Sequence, residues 1–338
     1  MLFRSQLQGD RSIAVANGTV ALQLVLHTVG VGPGHEVIVP SQTFVATAAA
    51  VKYVGATPVF AEIDRDTWTL DTSDVLSKLS DRTRAVIPVD LFGLCADVPG
   101  LRAALAKASR GDVFILEDAA EAFGSKLGGV GAGALGDAGV FSFYGNKTIT
   151  TGEGGMVVTG DLALADRMRF LKDHAMSAEK RYYHPEIGFN FRMTNLQAAV
   201  GLAQLGAAED LVARKLRIHA RYRAALSELE GVHLQVVPSG HFHVPWLTAL
   251  VDDALRGEAD RDALIARLRE RGIDSRPLFY PNHMLPAFAA LPTGGSGSLP
   301  FTESMSFRGL ALPSGAGLRD DEVDRCIAAY SAVRRPLA

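Results

Sequence analysis

Cysteine is scarce in this chain: two among 338 residues, Cys95 and Cys326, with no spacing that suits a pair or a metal. That excludes a disulfide framework and a thiolate zinc site, so free, buried thiols in a reducing compartment are expected, and no metal. Long hydrophobic runs are also missing. The apolar stretches are strand-length and broken by glycine or polar residues, so none is a membrane span. The start, Met1-Leu2-Phe3-Arg4, lacks the charged and then apolar pattern of a secretory leader, which predicts a cytoplasmic protein. Charge of one sign is absent as well. A net charge of −3 favours neither nucleic acid nor a membrane surface as the main partner. Lysine is rare beside arginine, 8 against 26, which leaves few amines to consider as nucleophiles.

What is present is globular. Hydrophobic residues make up 48% and charged residues 21%, enough apolar content for a sizeable core, and the length suits about two domains. Strand-like runs alternate with helical patterns from residue 12 onward. The runs are 12–16, 36–40, 57–63, 84–89, 113–118, 138–143 and 155–159, with helices predicted over 20–29 and 43–54. Continuous β-branched runs with helices between them predict an α/β fold: a large domain with a mainly parallel, seven-stranded sheet flanked by helices. Beyond Leu162 the texture changes. A helix is predicted over 162–173, an ordered polar and aromatic loop over 177–190, and a long helical region over 194–229. A smaller α+β domain follows, so the boundary is placed between 1–229 and 230–338. Within it, a helix over 260–271 ends at Gly272, a C-cap position, and 293–298 reads as a flexible loop.

Three strand ends carry candidate chemistry, because ligands of open parallel sheets gather beyond the carboxyl ends of strands. Asn17-Gly18-Thr19-Val20 turns a strand tightly into a helix and leaves free N–H groups, which suits a phosphate or simply a capped turn. Glu117-Asp118 ends a very apolar strand. An acid there needs a cationic partner such as a protonated pyridine nitrogen, unless Asp118 only caps a helix. Phe143-Tyr144-Gly145-Asn146-Lys147 follows a third strand. Lys52, Lys78, Lys107, Lys172 and Lys215 fall on polar helix faces and read as solvated. Lys147 lies instead among glycine, hydroxyl and aromatic residues, which suits a partly desolvated amine able to form a Schiff base. Lys126 is its only rival and reads as a surface turn.

Taken in order, NGTVAL, EVIVPSQTFVATAAAV, GATPVF, ILEDAAEAFGS, GDAGVFSFYGNKTITTGEGGMVVT and GFNFRMTNLQAAVGLAQL resemble the DegT/DnrJ/EryC1/StrS family of sugar aminotransferases. A weaker likeness runs through RGIDSRPLFYPNHMLP and LALPS, so nearly the whole chain is covered. The resemblance implies a fold type I enzyme dependent on pyridoxal 5'-phosphate. It implies that Lys147 bonds the cofactor and then shuttles a proton between two carbons, and that Asp118 pairs with the ring nitrogen. Phe44 would stack on the ring. Gly18, Thr19, Val20 and Ser142 would bind the phosphate, and Glu121 would sit near the ring oxygen. Asn190, with Arg192 beside it, would reach the phosphate of a second subunit, so the enzyme would be a homodimer with shared active sites.

The stretch 173–195 is similar to that of the perosamine-synthase-like members, which implies L-glutamate as donor and GDP-4-keto-6-deoxymannose as acceptor. A GDP-3-keto-6-deoxymannose 3-aminotransferase or a keto-cyclitol aminotransferase of antibiotic biosynthesis stays open. His184, Tyr280 and His283 are candidate sugar contacts. A dehydratase of the same group would carry histidine in place of Lys147. A non-catalytic regulatory protein that binds the cofactor is the alternative of another class. Family members usually carry a further glycine-containing loop and helix ahead of the stretch that 3–10 matches; a simplified or truncated nucleotide end is the expectation here.

Overall fold

The computed structural model describes residues 11–289, 291 and 297–334. The matching stretch 3–10 and most of the expected flexible loop, 293–296, lie outside the described residues.

The central sheet follows the sequence pattern closely. Its strands are β1 (Arg11–Val15), β2 (Glu36–Pro40), β3 (Thr57–Ala61), β4 (Thr83–Val86), β5 (Phe114–Asp118), β8 (Ala138–Ser142) and β9 (Gly155–Thr159). They lie in the order β1-β9-β8-β5-β4-β2-β3. Only β9 runs against its neighbours; the pairs β5–β8, β4–β5, β2–β4 and β2–β3 are parallel. β2 and β9 are buried along their whole length, which is why their sequences read as unbroken rather than alternating apolar runs.

Helices cover both faces. On one, α1 (Gly18–Thr28) and α2 (Ala46–Tyr53) pack with α5 (Leu162–Leu171) over Val15, Val37, Val39, Leu116, Val140 and Val157. On the other, α3 (Thr72–Ser77) and α4 (Val98–Lys107) cover Ile38, Val59, Val86 and Ile115. Two glycines let α1 start close against the sheet. A Cβ on Gly155 would meet the Asn17 carbonyl carbon at 2.5 Å, and one on Gly18 would meet Ser142 Cβ at 3.0 Å. A hairpin, β6 (Lys126–Leu127) and β7 (Val130–Gly131), pairs with β11 (His241–Phe242) in a small third sheet.

The long helical region expected over 194–229 is interrupted. It is α6 (Asn195–Gly206) and α7 (Ala208–Leu226), which break at Ala207 (φ −103°, ψ 5°). The two halves then serve different surroundings. Nothing on α6 is buried, whereas Ile218, Tyr222 and Leu226 of α7 enter a second core. That core is built on an antiparallel sheet, β10 (Val232–Leu234), β12 (Thr248–Asp252), β14 (Gly309–Leu312) and β13 (Arg276–Pro277). It is closed by α8 (Glu258–Glu270) and α10 (Asp320–Val333), while α9 (Pro300–Arg308) links it back toward the large sheet. Gly272, at φ +74°, follows α8 as its composition predicts. Both cysteines are free and buried. Among the described residues no helix is long and apolar enough to cross a membrane.

The second core holds one fully buried acid. Asp252 accepts from Arg334 Nε and Nη2 at 3.0 and 2.8 Å and from Tyr330 Oη at 2.6 Å. Removing one partner of a buried pair leaves an uncompensated charge. Arg334→Met should cost about 3–5 kcal/mol of unfolding free energy, seen as a lower denaturant midpoint with little change in slope.

Candidate functional site

The carboxyl ends of β5 and β8, the start of α1 and the start of α2 converge on one cavity of about 1130 Å³. Its far wall comes from the second sheet, through Trp246, Phe279 and 311–318.

Asp118 ends β5 and is only 5% exposed. Its Oδ2 accepts from Thr47 Oγ1 at 2.8 Å and its Oδ1 from the Ala120 N–H at 3.2 Å. No helix follows it, so it caps none. Burial pushes its pKa up, and Thr47, Ala120 and the Lys147 charge only partly reverse that. Glu121 is also buried and pushed up by desolvation; one oxygen accepts from the Phe92 N–H at 2.8 Å. Its other oxygen lies 3.5 Å from Lys147 Nζ.

Lys147 sits in the loop after β8. The loop is closed by Thr151 N–H and Thr150 Oγ1 donating to the Phe143 carbonyl at 2.9 and 3.0 Å. Its ammonium lies 3.6 Å from the centroid of the Trp246 ring. Burial pushes the Lys147 pKa down, while Glu121 and Asp118 pull it back up. The site therefore holds a desolvated amine, its pKa lowered by burial, beside two buried acids.

Gly18, Thr19, Phe44 and Ser142 line the same cavity. Val20 does not; its N–H is taken by Asn17 Oδ1 at 2.9 Å, which caps α1. Phe44 is exposed over the opening and tilts against Phe279 at 5.9 Å.

The remaining predicted residues are elsewhere. Asn190 and Arg192 lie on the surface, Arg192 paired with Asp173 at 2.8 Å. His184 is exposed and its Nδ1 bonds the His174 carbonyl at 2.8 Å. Neither His283 nor Tyr280 lines the cavity. Both His283 ring nitrogens are engaged, Nδ1 with Ser41 Oγ at 2.7 Å and Nε2 with Glu303 at 3.2 Å, so it wedges α9 against β2's end. Tyr280 Oη donates to Glu258 and accepts from Arg261 at 3.2 Å.

Three lysines read as solvated are not, and the first, Lys78, is part-buried with its Nζ donating to both Asp74 carboxylate oxygens at 2.7 and 2.6 Å. Lys215 is buried, with its pKa lowered to about 8 by desolvation, and its Nζ donates to the carbonyls of Trp246 and, at 2.6 Å, of Ser314. Lys172 is half-buried and donates to the Ala14 carbonyl at 2.9 Å. Lys126 is exposed, as its turn composition suggests. Polar periodicity along a helix shows which face a side chain leaves from; it does not show that another segment later covers that face.

Sequence reasoning also missed Thr47, Trp246, Asp90 and the partners of Glu117. Thr47, a hydroxyl one residue into the otherwise apolar start of α2, was a usable signal, and the helix begins at Ala46 rather than at the expected Thr43. Glu117 is held by the N–H groups of Gly133, Leu135 and Gly136, so the glycine-rich stretch 128–136 was another. Asp90 accepts from the Ala96 N–H at 2.8 Å, and burial followed by the Glu117 charge pushes its pKa well up. Nothing in the sequence marked Trp246.

The profile described as the DegT/DnrJ/EryC1/StrS aminotransferase family matches residues 2–331. The chain is similar to the GDP-perosamine synthase of Caulobacter vibrioides, 43% identical over 325 residues, 95% of this chain and 85% of that one. It is also similar to the crystal structure of a DegT DnrJ EryC1 StrS aminotransferase from Brucella abortus. That match has a TM-score of 0.89 at 36% identity and covers 98% of this chain and 87% of the other. A PLP-form structure of Spr1654 from Streptococcus pneumoniae matches with a TM-score of 0.92 at 26% identity, over 98% and 88% of the two chains.

A raised carboxyl pKa has a stability consequence. The penalty for ionising Asp118 in the folded protein is full above its raised pKa and vanishes as pH falls below the unfolded value. In the ligand-free protein, Asp118→Asn should raise Tm by about 2–4 °C near neutral pH, and the gain should disappear as pH falls through the carboxylate range.

Proposed function

We infer the reaction from one premise: this chain belongs to the DegT/DnrJ/EryC1/StrS aminotransferase family, whose members depend on pyridoxal 5'-phosphate. The reading is a sugar aminotransferase of the perosamine synthase type. It moves an amino group from L-glutamate to GDP-4-keto-6-deoxymannose, in the cytoplasm, as a homodimer. Relatives named GDP-perosamine synthase, 40–43% identical, support the substrate class.

One observation carries the chemistry: a desolvated amine, Lys147, 3.5 Å from the buried Glu121 and in the field of the buried Asp118. The cavity fits the cofactor. Asp118 is a buried acid on its wall, its pKa raised by desolvation, and Gly18 and Thr19 of the first turn of α1 line it beside Ser142. When bound, the cofactor's pyridinium ring withdraws electrons from the carbon that loses or gains a proton. Asp118, oriented by Thr47, keeps the ring nitrogen protonated. Lys147 bonds the cofactor and, when free, carries the proton between the two carbons. Gly18, Thr19 and Ser142 hold the phosphate, and Val20 supports them through the Asn17 cap. Phe44 covers the ring, and Glu121 faces its oxygen. The division of labour is a cofactor-binding unit over 1–229 and a closing unit over 230–338.

The second subunit is supported by α6. Leu196 is 83% and Leu202 63% exposed, on a helix with nothing buried. The helix abuts the cavity edge, where Gln197 Nε2 donates to the carbonyl of Glu153, a cavity residue. Asn190 and Arg192, both exposed, are the residues that such a second copy would offer to this cavity in the dimer reading.

Adding L-glutamate to the cofactor-loaded protein should shift its visible absorbance, and Lys147→Ala should lower transfer by about 10³-fold or more while circular dichroism is unchanged. A normal rate in Lys147→Ala sinks the reading. Assay against GDP-, dTDP- and UDP-linked keto-sugars and a keto-cyclitol identifies the acceptor; no turnover of the GDP sugar rejects the substrate assignment. The paired substitution Leu196→Asp with Leu202→Asp should convert a sedimenting dimer to monomer and remove transfer. A monomeric wild type that is fully active rules out shared sites.

A further inference from the structure

We propose that the Trp246 ring, clamped in place by Lys215, is the seat that holds the Lys147 amine whenever that amine is not bonded to the cofactor. The proposal rests on the aminotransferase reading, in which Lys147 is alternately bonded and free.

Trp246 is fixed on every side. Its backbone N–H donates to the Phe92 carbonyl at 2.9 Å, and its indole Nε1 donates to the Asn146 carbonyl at 2.9 Å. That second bond ties the ring to the residue just before Lys147. The ring stacks on Phe279 with centroids 6.4 Å apart and planes 18° off parallel, and Phe279 stacks in turn on Phe92 at 6.1 Å and 20°. Lys147 Nζ lies over the ring at 3.6 Å. An ammonium is attracted to the electron-rich face of an indole, more strongly once both are withdrawn from water.

Lys215 supplies the clamp. Its Nζ joins the Trp246 carbonyl to the Ser314 carbonyl, and Ser314 Oγ accepts from the Thr248 N–H at 2.8 Å. The bonds gather α7, the entry to β12 and the segment after β14 at one point, on the backbone that carries the indole. A buried lysine satisfied by two carbonyls is costly to place unless something depends on where those carbonyls sit. Lys215 touches neither Glu121 nor Asp118 in any recorded bond and acts through Trp246, as a positioning residue.

The seat solves a mechanical problem. A free lysine side chain has several rotamers, and an amine that wanders must be returned before it can take the next proton. Glu121 at 3.5 Å and the indole at 3.6 Å hold it from two sides, within the cavity. The charged groups acting on Lys147 are Glu121 and Asp118, while Lys215 lines the same cavity with its Nζ held by the Trp246 and Ser314 carbonyls.

The test reads Lys147 directly. In the cofactor-free full-length protein, the amine is acylated with acetic anhydride at a series of pH values and the Lys147 peptide is quantified by mass spectrometry. Trp246→Leu keeps an apolar side chain but removes the ring face that favours the cation. It should lower the pH of half-labelling by about half a unit or more. Trp246→Phe, which keeps a ring, should stay close to wild type, and Lys215→Met should shift in the same direction as Trp246→Leu. In the loaded enzyme, Trp246→Leu should lower kcat several-fold with KM for L-glutamate little changed. Coincident labelling curves for wild type and Trp246→Leu overturn the proposal, as does an equal shift in Trp246→Phe, which would mean packing alone. Should Trp246→Leu not fold, Lys215→Met against Lys215→Arg decides the same question. The wild-type absorbance response to L-glutamate is scored separately: its absence rejects the aminotransferase reading, whatever the labelling shows.

Discussion

Everything around the cavity is organised by the burial of an acid at the end of β5. Asp118 has two hydrogen bonds and the field of Lys147, which do not outweigh its desolvation. A carboxylate in that position stays costly until a cation is placed against it. The neighbouring acids are handled differently. Glu117 is met by three N–H groups of the 133–136 turn, and Asp90, fully buried, accepts from the Ala96 N–H, its pKa pushed well up by desolvation and by the Glu117 charge. Asp118 alone of the three lines the cavity. The fold thus neutralises the acids behind the sheet end and leaves one acid's demand to be met by a ligand.

The parallel sheet explains why this can be done with short segments. β5, β8 and the strand entering α1 all point their carboxyl ends the same way, so three loops deliver Asp118, Ser142 with Lys147, and Gly18 with Thr19 to one edge. β9 reverses direction, and its Gly155 is the close-approach point that lets the α1 start sit on β8. The antiparallel sheet closes the other side. Trp246 at the entry to β12 and Phe279 after β13 form an aromatic wall, and α7 pins it through Lys215.

Most of the architecture was legible before any coordinates. The seven strands, the mainly parallel character of their sheet and the glycine after α8 follow from unbroken apolar runs and from turn chemistry, both local properties; the reversal of β9 does not. Lys147 stood out because its neighbours differ in kind from those of the other lysines, and Asp118 because an acid at the end of so apolar a strand demands a partner. The break at Ala207 went unread although Gly206 beside it is a poor helix former, because a lone glycine inside a helical pattern is tolerated and the break answers to what α6 and α7 pack against. His283 and Tyr280 looked like ligand contacts for a similar reason. Histidine and tyrosine are polar enough to contact a sugar and equally able to lock a helix in place, and only their partners, Ser41, Glu303, Glu258 and Arg261, distinguish the two.

The sequence by itself determined the strands of the sheet, the family resemblance and which lysine differs from the others in its neighbours. Each of these is written in a contiguous stretch whose periodicity or composition is its own signal. The tertiary structure decided what surrounds that lysine. Trp246 lies 99 residues further along the chain, Lys215 reaches it from a helix face that looks solvated, and Thr47 meets Asp118 from another layer. Contacts between distant segments leave no local pattern, because each partner is chosen by the shape of the other.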